Sequence, residues 1–431
     1  WIPRFVKRLF PLCLVVFIGF VGYSLMLTVF TPLFLNGHGE LVPKHWSLPT
    51  RSIVLGVILS LYPLGQFLGS PILGALSDRF GRARPLHLSL AACIGGYALI
   101  ALSIQSEILW LLMGALFLTG IIEANIVIAQ SSIADVVKPE DRGRWFGYIY
   151  VAVSTAYVVG PLFGGMMTDS NLVSFFGPST PFWAAAILVI VSLACSLLIF
   201  RETLPVEKRV SGSLSRSLGN LSRIFTERDV RWLYLANFLI YLAIFGFLRC
   251  YPMFIVDKFN VDMSTESEFI AWVAVPIILV NFVLIGPLSR RFSYRTLAIV
   301  SGVALGVLMA VVVVRSQEWM LWITLFVVTI PVAICMTSIA VMISSAVGAQ
   351  RQGRVMGNNQ AVQVGAEALS GLLGGLLAAI AIWLPMVAAE IYQTVRRLHH
   401  NLYPQIVVNV LQALIFVPTL GPVMMAGYAF G

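Results

Sequence analysis

Two carboxylates stand inside otherwise apolar stretches of the chain. Glu123 lies in the run Gly-Ile-Ile-Glu-Ala-Asn, and Glu367 lies in the run Gln-Val-Gly-Ala-Glu. An ionised carboxylate in apolar surroundings costs several kcal/mol, so each is expected to be neutral, paired or in contact with water. Such a carboxyl group can take up and release a proton, and both residues are therefore candidate proton-coupling groups. For Glu123, the alternative is a hydrogen-bonded contact that only joins helices.

The composition of the chain sets the surroundings of these carboxylates. Of the 431 residues, 59% are hydrophobic and 11% are charged, which is too little polar surface to cover a soluble globule. The apolar runs are continuous and lack the alternation of an outer-membrane barrel. We therefore predict an all-α integral membrane protein with twelve transmembrane helices, near residues 9–34, 51–74, 86–104, 108–133, 147–168, 181–201, 231–255, 267–288, 296–315, 320–346, 357–383 and 404–429.

The net charge of +9 does not indicate a nucleic-acid partner, because the basic residues cluster in alternate connections between the spans. If the N-terminus is cytoplasmic, most of the 28 lysines and arginines fall on the cytoplasmic side, as the positive-inside rule expects. This distribution predicts a multi-pass protein of the plasma membrane, the inner membrane in a bacterium, with both termini cytoplasmic.

Two related halves are indicated by an internal repeat. The run Gly-Ala-Leu-Ser-Asp-Arg-Phe-Gly-Arg beginning at Gly74 has an imperfect copy beginning at Gly286, and two further pairs of glycine-containing runs recur at nearly the same offset. Parallel repeats with a binding site near the midplane are a known plan for transporters. We predict two pseudo-symmetric six-helix bundles, residues 1–201 and 231–431, joined by a cytoplasmic linker, residues 202–230.

These motifs resemble the major facilitator superfamily, and within it the twelve-helix drug/proton antiporters of the tetracycline and multidrug efflux type. The resemblance covers about residues 9 to 383. It is carried by the hairpin motif that begins at Gly74, by the run from Asp135 to Gly147, by Gly-Pro-Leu-Phe-Gly-Gly from Gly160, and by Arg-Glu-Thr-Leu-Pro from Arg201.

The hairpin motif predicts a charge latch between the halves. The glycines of the motif permit tight turns and close helix approach, and Asp78 can accept hydrogen bonds from the N-terminal end of a helix in the other half or from a nearby arginine. We expect this latch to favour the outward-open state. The alternative is that the basic residues only enforce the topology. The expected latch residues are Gly74, Asp78, Arg79, Gly81, Arg82, Arg142 and Arg144.

The fifth span carries a stripe of small residues at helical spacing, Gly160, Gly164 and Gly165, together with Pro161. Because Pro161 removes a backbone hydrogen bond, the helix can bend and pack against a partner. The resemblance implies that the fifth span meets the eighth span across the interface between the halves. Simple helix packing is the alternative for these residues.

Several polar side chains within the spans are candidates for substrate binding. Arg249, near the outer end of the seventh span, could hold an anionic group or pair with a carboxylate, or it could extend to the lipid headgroups. The other candidates are amides and phenols within the spans: Asn125, Tyr157, Asn237, Tyr241 and Asn281.

The chain departs from the pattern of the antiporters that it resembles. It has Ala115 where these antiporters usually carry an arginine, and Phe20 where some carry an aspartate. Since the fourth span lines the central cavity in this family, the resemblance makes Glu123 the substitute for the missing proton-relay groups.

The function that these expectations imply is proton-coupled secondary transport, with export of small amphipathic organic compounds by alternating access. The alternative is uptake or export of a specific metabolite or siderophore, with an anionic substrate if Arg249 binds it. The expected partners are the substrate, protons and the bilayer, and a monomer is expected. The histidines and cysteines show no spacing typical of a metal site or an enzyme, and no phosphate-binding loop is present, so no cofactor is predicted.

Overall fold

A computed structural model describes residues 4–35, 41–43, 45–46, 48–168, 173–209, 230–259, 272–314 and 319–370 of the chain. Long helices joined by short connections make up this part of the protein, and no strand occurs within it. In chain order the helices are α1 (Arg4–Leu35), α2 (Leu48–Phe80), α3 (Ala83–Gln105), α4 (Leu109–Ile122), α5 (Asn125–Val136), α6 (Arg142–Thr168), α7 (Thr180–Ile199), α8 (Arg231–Phe259), α9 (Trp272–Arg291), α10 (Tyr294–Val314), α11 (Trp319–Ser345) and α12 (352–370).

The predicted spans correspond to these helices through the eleventh span, whose last part lies outside the described residues. The predicted twelfth span, 404–429, and most of the linker, 202–230, also lie outside them. Eight helices within the described ranges are long and apolar enough to cross a membrane, α4 and α5 counting together as one of them. Two observed features were not predicted: the fourth span is two helices separated by a break, and α9 contains a π-helical turn, Val280–Leu284.

The hairpin motif is helical for most of its length. Helix α2 continues to Phe80, beyond the predicted end of the second span, so the turn to α3 contains only Gly81 and Arg82. Gly81 has a φ of +90°, a conformation that glycine adopts without the steric cost of a Cβ atom. The turn also passes close to Glu202 and Arg209, which lie beyond α7, so a side chain at this position would have no room.

Glycines bring α2 and α4 into backbone contact. A Cβ atom on Gly65 or Gly69 would overlap the backbone of α4, and one on Gly120 would overlap the Tyr62 carbonyl oxygen. Small residues at a helix interface allow this close packing inside a membrane, where association depends on van der Waals contact and hydrogen bonds. The break between α4 and α5 begins directly after this contact, and α2 therefore holds the break in place.

The two halves of the chain meet at one end of the helices. This end, here called the basic end, has lysines and arginines in or next to the connections after α2, α5, α9 and α11. Gly74 of α2 contacts the backbone of Gly353 at the start of α12, and Gly147 of α6 contacts the backbone of Asn281 in α9. The Gly143 N–H donates a hydrogen bond of 3.1 Å to the Tyr294 hydroxyl. The basic end is therefore closed in this structure.

Substitution of Gly74 by alanine is expected to oppose this closure. The added Cβ would overlap the Gly353 carbonyl oxygen, which is backbone and cannot rotate away. Overpacking of this kind costs about 1–3 kcal/mol, so the ratio of closed to open molecules should fall roughly fivefold or more. Spin labels on cysteines introduced at the exposed positions Arg84 and Gln350, in a variant without the native cysteines, would report this ratio as a distance distribution.

Gly95→Ala is the matched control for this experiment, because a Cβ atom at Gly95 meets nothing within 4 Å. It should leave the distance distribution unchanged. If Gly74→Ala and Gly95→Ala give the same distribution, the contact between Gly74 and Gly353 does not limit closure.

Candidate functional site

Glu123 lies at the break between α4 and α5. Its backbone and that of Ala124 are non-helical, with φ and ψ of −93° and 32° for Glu123. Side chains from neighbouring helices pair with the carbonyl groups exposed by the break: the Ser89 hydroxyl lies 2.6 Å from the Ile122 oxygen, and the Gln66 amide lies 3.4 Å from the Glu123 oxygen. A helix within a membrane tolerates a break when its freed backbone groups find such partners.

The Glu123 carboxyl group is buried between α1, α2 and α3. Its Oε2 accepts hydrogen bonds from the Tyr62 hydroxyl at 2.9 Å and from the Tyr97 hydroxyl at 2.6 Å. Its Oε1 faces Gly19 of α1, where an added Cβ atom would lie only 3.1 Å away. The residue is 5% exposed, so bulk solvent has little access to the carboxyl group in this conformation.

A small cavity opens beside this carboxyl group. Its volume is about 10 Å³, which is room for about one water molecule. The Asn125 side chain also faces the cavity, and its Nδ2 atom is buried without a hydrogen-bond partner in the described part of the chain. Beside apolar side chains and Gly19, the lining therefore includes a carboxyl group, hydroxyls and amides: Tyr23, Tyr62, Gln66, Glu123 and Asn125.

Glu367 reaches the same region from α12. Its Oε1 accepts a hydrogen bond of 2.7 Å from the Tyr23 hydroxyl of α1. The Tyr23 ring stacks on the Tyr62 ring, with centroids 5.2 Å apart and an interplanar angle of 22°. The two candidate proton-coupling residues therefore lie at the two ends of one group of packed aromatic side chains.

Four of the candidate substrate residues form two pairs in the inner part of the helix bundle. Asn125 and Tyr157 lie near the carboxylates, with the Tyr157 ring edge-on to Tyr23 at 6.2 Å. Asn237 and Tyr241 lie on the inner side of α8, where Asn237 Nδ2 donates a hydrogen bond of 2.7 Å to Asn359 Oδ1.

Asn281 and Arg249 are not placed in this region. Asn281 Oδ1 accepts a hydrogen bond of 2.6 Å from the Thr337 hydroxyl, so this side chain joins α9 to α11 within one half. Arg249 belongs to α8, and its side chain lies outside the described part of the structure.

Sequence reasoning missed the side chains that pair with Glu123 and its backbone. Tyr62, Gln66 and Tyr97 are polar side chains within apolar spans, and Tyr62 and Gln66 are four residues apart on one face of α2. That spacing was the sequence signal that could have identified them. Sequence reasoning also missed Tyr150, whose hydroxyl lies beside the candidate Tyr241 and beside side-chain amides of α5 and α12, Gln130 and Gln363.

Asp78 joins the two halves at the basic end. Its Oδ1 accepts a hydrogen bond of 2.8 Å from the Gly353 N–H, and its Oδ2 accepts one of 2.7 Å from the Arg354 N–H. These N–H groups belong to the first turn of α12, whose dipole favours a negative charge. Arg82 also donates to Asp78 Oδ1 at 2.7 Å. Asp78 therefore has both of the partners predicted for it, the N-terminal end of a helix in the other half and a nearby arginine.

Arg82 connects Asp78 to the rest of its own half. Its Nε donates a hydrogen bond of 2.8 Å to Asp135 Oδ2, and its Nη1 donates one of 2.7 Å to the Ser77 hydroxyl. Burial lowers the pKa of the Arg82 guanidinium, but the charges of Asp78 and Asp135 outweigh this effect and place the pKa above its ordinary value. Arg82 therefore stays charged, and it is fully buried.

The other predicted latch residues have different positions. Arg142 bridges the halves, since its Nη1 lies 3.2 Å from the Ser344 carbonyl oxygen of α11 and its Nη2 lies 2.9 Å from the Ala134 carbonyl oxygen. Arg79 and Arg144 are exposed instead and lie over the rings of neighbouring aromatic residues, Phe80 and Tyr148. These two arginines are not brought to Asp78.

The small-residue motif of the fifth span packs within its own half. Gly160 of α6 lies against Ser24, and Gly164 lies against Leu25 and Thr28, all on α1. A Cβ atom on Gly165 would meet nothing within 4 Å. Helix α6 does meet α9 across the halves, as the resemblance implied, but at its N-terminal turns. Of the motif residues Gly160, Pro161, Gly164 and Gly165, the two that face α1, Gly160 and Gly164, thus form a contact between α6 and α1 rather than between the halves.

Replacing Asp78 by asparagine is expected to weaken closure of the basic end. Asparagine loses the negative charge, and its NH₂ group would face the N–H of Gly353 or Arg354. A hydrogen bond to a charged group contributes about 1.5–3 kcal/mol, so the closed population should fall at least roughly tenfold relative to the open one. The label pair at positions 84 and 350 measures the change.

Arg295→Gln is the control for Asp78→Asn, because Arg295 is an exposed charge at the same end of the bundle. An unchanged distance distribution in Asp78→Asn, at the level of this control, would contradict the latch.

The sequence model of the Major Facilitator Superfamily matches residues 12–371 of this chain. The chain is 28% identical to the class D tetracycline resistance protein of Salmonella ordonez, over 75% of this chain and 78% of that protein. It is 28% identical to the class C protein of Escherichia coli, over 83% and 85% respectively. Multidrug resistance protein 2 of Bacillus subtilis (strain 168) is 24% identical over 65% of this chain and 66% of that protein.

Solved structures show the same fold. The human organic anion transporter MFSD10 (TETRAN) superposes with a TM-score of 0.76 at 19% identity, over 98% of this chain and all (100%) of that chain. The proton:xylose symporter XylE superposes with a TM-score of 0.69 at 13% identity, over 96% of this chain and 95% of that chain. The predicted fold class and the resemblance stated from the motifs are confirmed. The chain therefore belongs to the major facilitator superfamily, a family of multi-pass membrane transporters and not of enzymes.

Proposed function

We propose that this protein is a proton-coupled transporter that exports small amphipathic organic compounds across the bacterial inner membrane. The halves, residues 1–201 and 231–431, alternate between two arrangements and expose a central site to one side at a time. The linker, residues 202–230, joins them on the cytoplasmic side. The observation that carries the proposal is the buried Glu123 carboxyl group at the break between α4 and α5.

The surroundings of Glu123 suit reversible protonation. When the carboxylate is ionised, the Tyr62 and Tyr97 hydroxyls stabilise it with hydrogen bonds of 2.9 and 2.6 Å. When Glu123 is protonated, its burial costs little free energy, because a neutral carboxyl group is far less costly to bury than a carboxylate. The adjacent cavity has room for about one water molecule. One water molecule can therefore lie beside the carboxyl group and exchange a proton with it.

The closed basic end corresponds to a state closed to the cytoplasm. The positive-inside rule places this end, with its arginines, in the cytoplasm. Asp78, Arg82 and Arg142 then form the latch that favours this state. Arg79 and Arg144, which are exposed, set the orientation in the membrane rather than the latch. Both termini are cytoplasmic in this arrangement.

A buried polar surface lies between the latch and the carboxylates. Amide atoms of Gln130, Asn358 and Gln363 are buried there without a hydrogen-bond partner in the described part of the chain. Unpaired buried polar atoms are costly, and they regain partners when water enters. We infer that this surface lines the cytoplasmic pathway once the latch opens, and that the latch offsets the cost of closing over it.

The substrate class is supported by the relatives and by the kinds of side chain at the centre. Two of the relatives are named for resistance to tetracycline and one for multidrug resistance. Aromatic rings and amides, which suit an amphipathic molecule, lie near the carboxylates: Tyr157, Asn125 and Tyr241. Asn237 lies one turn from Tyr241 on α8, against Asn359 of α12. One chain contains both halves and the central site, so a monomer suffices for this mechanism.

Glu123→Gln is expected to abolish proton coupling. Glutamine has nearly the same shape but cannot bind and release a proton in the physiological range. With purified protein in liposomes, an internal pH dye and an imposed gradient of tetracycline or a lipophilic cation, substrate-dependent proton flux should fall at least tenfold below that of the wild type. The sign of the wild-type flux distinguishes antiport from symport.

The matched control is Glu107→Gln, a substitution of an exposed glutamate in the connection between α3 and α4. It should retain wild-type flux. Proton flux that persists in Glu123→Gln would remove Glu123 as the carrier, and substrate movement without proton movement in the wild type would indicate a facilitator.

A further inference from the structure

A hydrogen bond joins the two halves of the chain inside the membrane. The Tyr23 hydroxyl of α1 donates to Glu367 Oε1 of α12 at 2.7 Å, across 344 positions of sequence. Tyr23 is 6% exposed and Glu367 is 8% exposed. A bond to a carboxylate in such surroundings is stronger than the same bond in water, because the local dielectric constant is low.

This bond is far from the charged latch. At a rise of 1.5 Å per residue, Glu367 lies about 21 Å along α12 from Gly353, where the latch contacts that helix. Glu123 lies about 18 Å along α4 and α5 from Asp135, which belongs to the same charged network. The two carboxylates therefore have similar depth, and the bond to Glu367 constrains the halves at the level of the candidate proton site.

Aromatic packing connects this bond to Glu123. The Tyr23 ring stacks on Tyr62 at 5.2 Å, and the Tyr62 hydroxyl donates to Glu123 Oε2. The Tyr157 ring is edge-on to the other side of this arrangement, 6.2 Å from Tyr23. The hydroxyl that holds Glu367 therefore belongs to a ring that stacks on one of the partners of Glu123.

We propose that the Tyr23–Glu367 hydrogen bond is a proton-sensitive contact between the halves: it holds while Glu367 is ionised and weakens when Glu367 binds a proton. The proton adds to a carboxylate oxygen, Tyr23 keeps its own hydroxyl proton, and the acceptor becomes a neutral carboxyl group. Charge-assisted hydrogen bonds are about twice as strong as neutral ones. The proposal rests on the proposed function in one respect, that the halves separate during transport.

The other titratable groups of this region are weak acids. A phenol or thiol has an ordinary pKa of about 8.5–10, above the range in which carboxyl groups titrate. Below about pH 8 the phenols and the thiol already hold their protons, so Glu123 and Glu367 are the members of the group whose charge can change as the pH falls further. The titratable side chains that face these carboxylates come from α1, α2, α3 and α8: Tyr23, Tyr62, Tyr97, Cys93 and Tyr241.

The test measures separation of the halves at the basic end, which is closed in the structure that holds this hydrogen bond. Spin labels on cysteines at Arg84 and Gln350, both exposed, report this separation in full-length protein in nanodiscs. In the wild type, the ratio of separated to closed molecules should rise about tenfold as the pH is lowered from about 8.5 to about 5.5. The same pH series is recorded for each variant.

Tyr23→Phe keeps the stacked ring and removes only the hydroxyl. It should raise the separated population about tenfold at high pH and reduce the remaining pH-dependent change to less than about twofold. Glu367→Gln leaves a neutral amide oxygen as the acceptor, so it should mimic the protonated state and likewise lose the pH-dependent change. The double variant should match Tyr23→Phe, because without the hydroxyl no bond remains for the second substitution to weaken.

Tyr148→Phe is the matched control, since the Tyr148 hydroxyl accepts its hydrogen bond from the exposed Arg144 and lies away from Glu367. It should behave as the wild type. A wild type without pH dependence, a Tyr23→Phe variant that keeps it, or additive effects of the two substitutions would each overturn the proposal.

Failure of this proposal is distinguishable from failure of the proposed function. If proton flux depends on Glu123 but Tyr23→Phe keeps the wild-type pH dependence, the Tyr23–Glu367 contact is not proton-sensitive and coupled transport stands. If transport moves no protons but the separation loses its pH dependence in Tyr23→Phe, the contact stands and coupled transport does not.

Discussion

Inside a membrane, a polar group that lacks a partner within the protein has no water to take that partner's place, and the centre of this transporter is organised by that constraint. The break between α4 and α5 exposes carbonyl groups and a carboxyl group at once. Ser89 and Gln66 pair with the carbonyl groups, and two tyrosines pair with the carboxyl group of Glu123. Four side chains from two neighbouring helices are needed before one glutamate can be accommodated there.

The close approach of α2 to α4 makes this pairing possible. Glycines on both helices let their backbones touch, which brings Tyr62 and Gln66 within reach of the break. A larger residue at Gly65 or Gly69 would move α2 outward and separate the carboxyl group from one of its hydroxyl partners. The glycines of the N-terminal half therefore contribute to the chemistry of Glu123 although none of them titrates.

The halves of the chain are joined by two different kinds of contact. At the basic end, charged side chains and the N–H groups of α12 surround Asp78, and Arg82 keeps its charge although it is fully buried. In the middle of the membrane, an uncharged hydroxyl meets Glu367. A contact made by one carboxylate and one hydroxyl changes strength with a single proton, whereas the network around Asp78 and Arg82 contains several charges that compensate one another.

The sequence by itself determined that this is an all-α membrane protein of the major facilitator superfamily, because continuous apolar runs, basic connections and the motif that begins at Gly74 depend on local composition and spacing. It also identified Glu123, Glu367 and Asp78, since a carboxylate is conspicuous among apolar residues. Only the tertiary structure decided which residues meet: Tyr23 with Glu367, Tyr62 and Tyr97 with Glu123, Gly160 with α1. The periodicity of a helix buried on most sides does not say which face meets which neighbour, and Arg79 and Arg82 look alike in sequence although one is exposed and the other is buried between two aspartates.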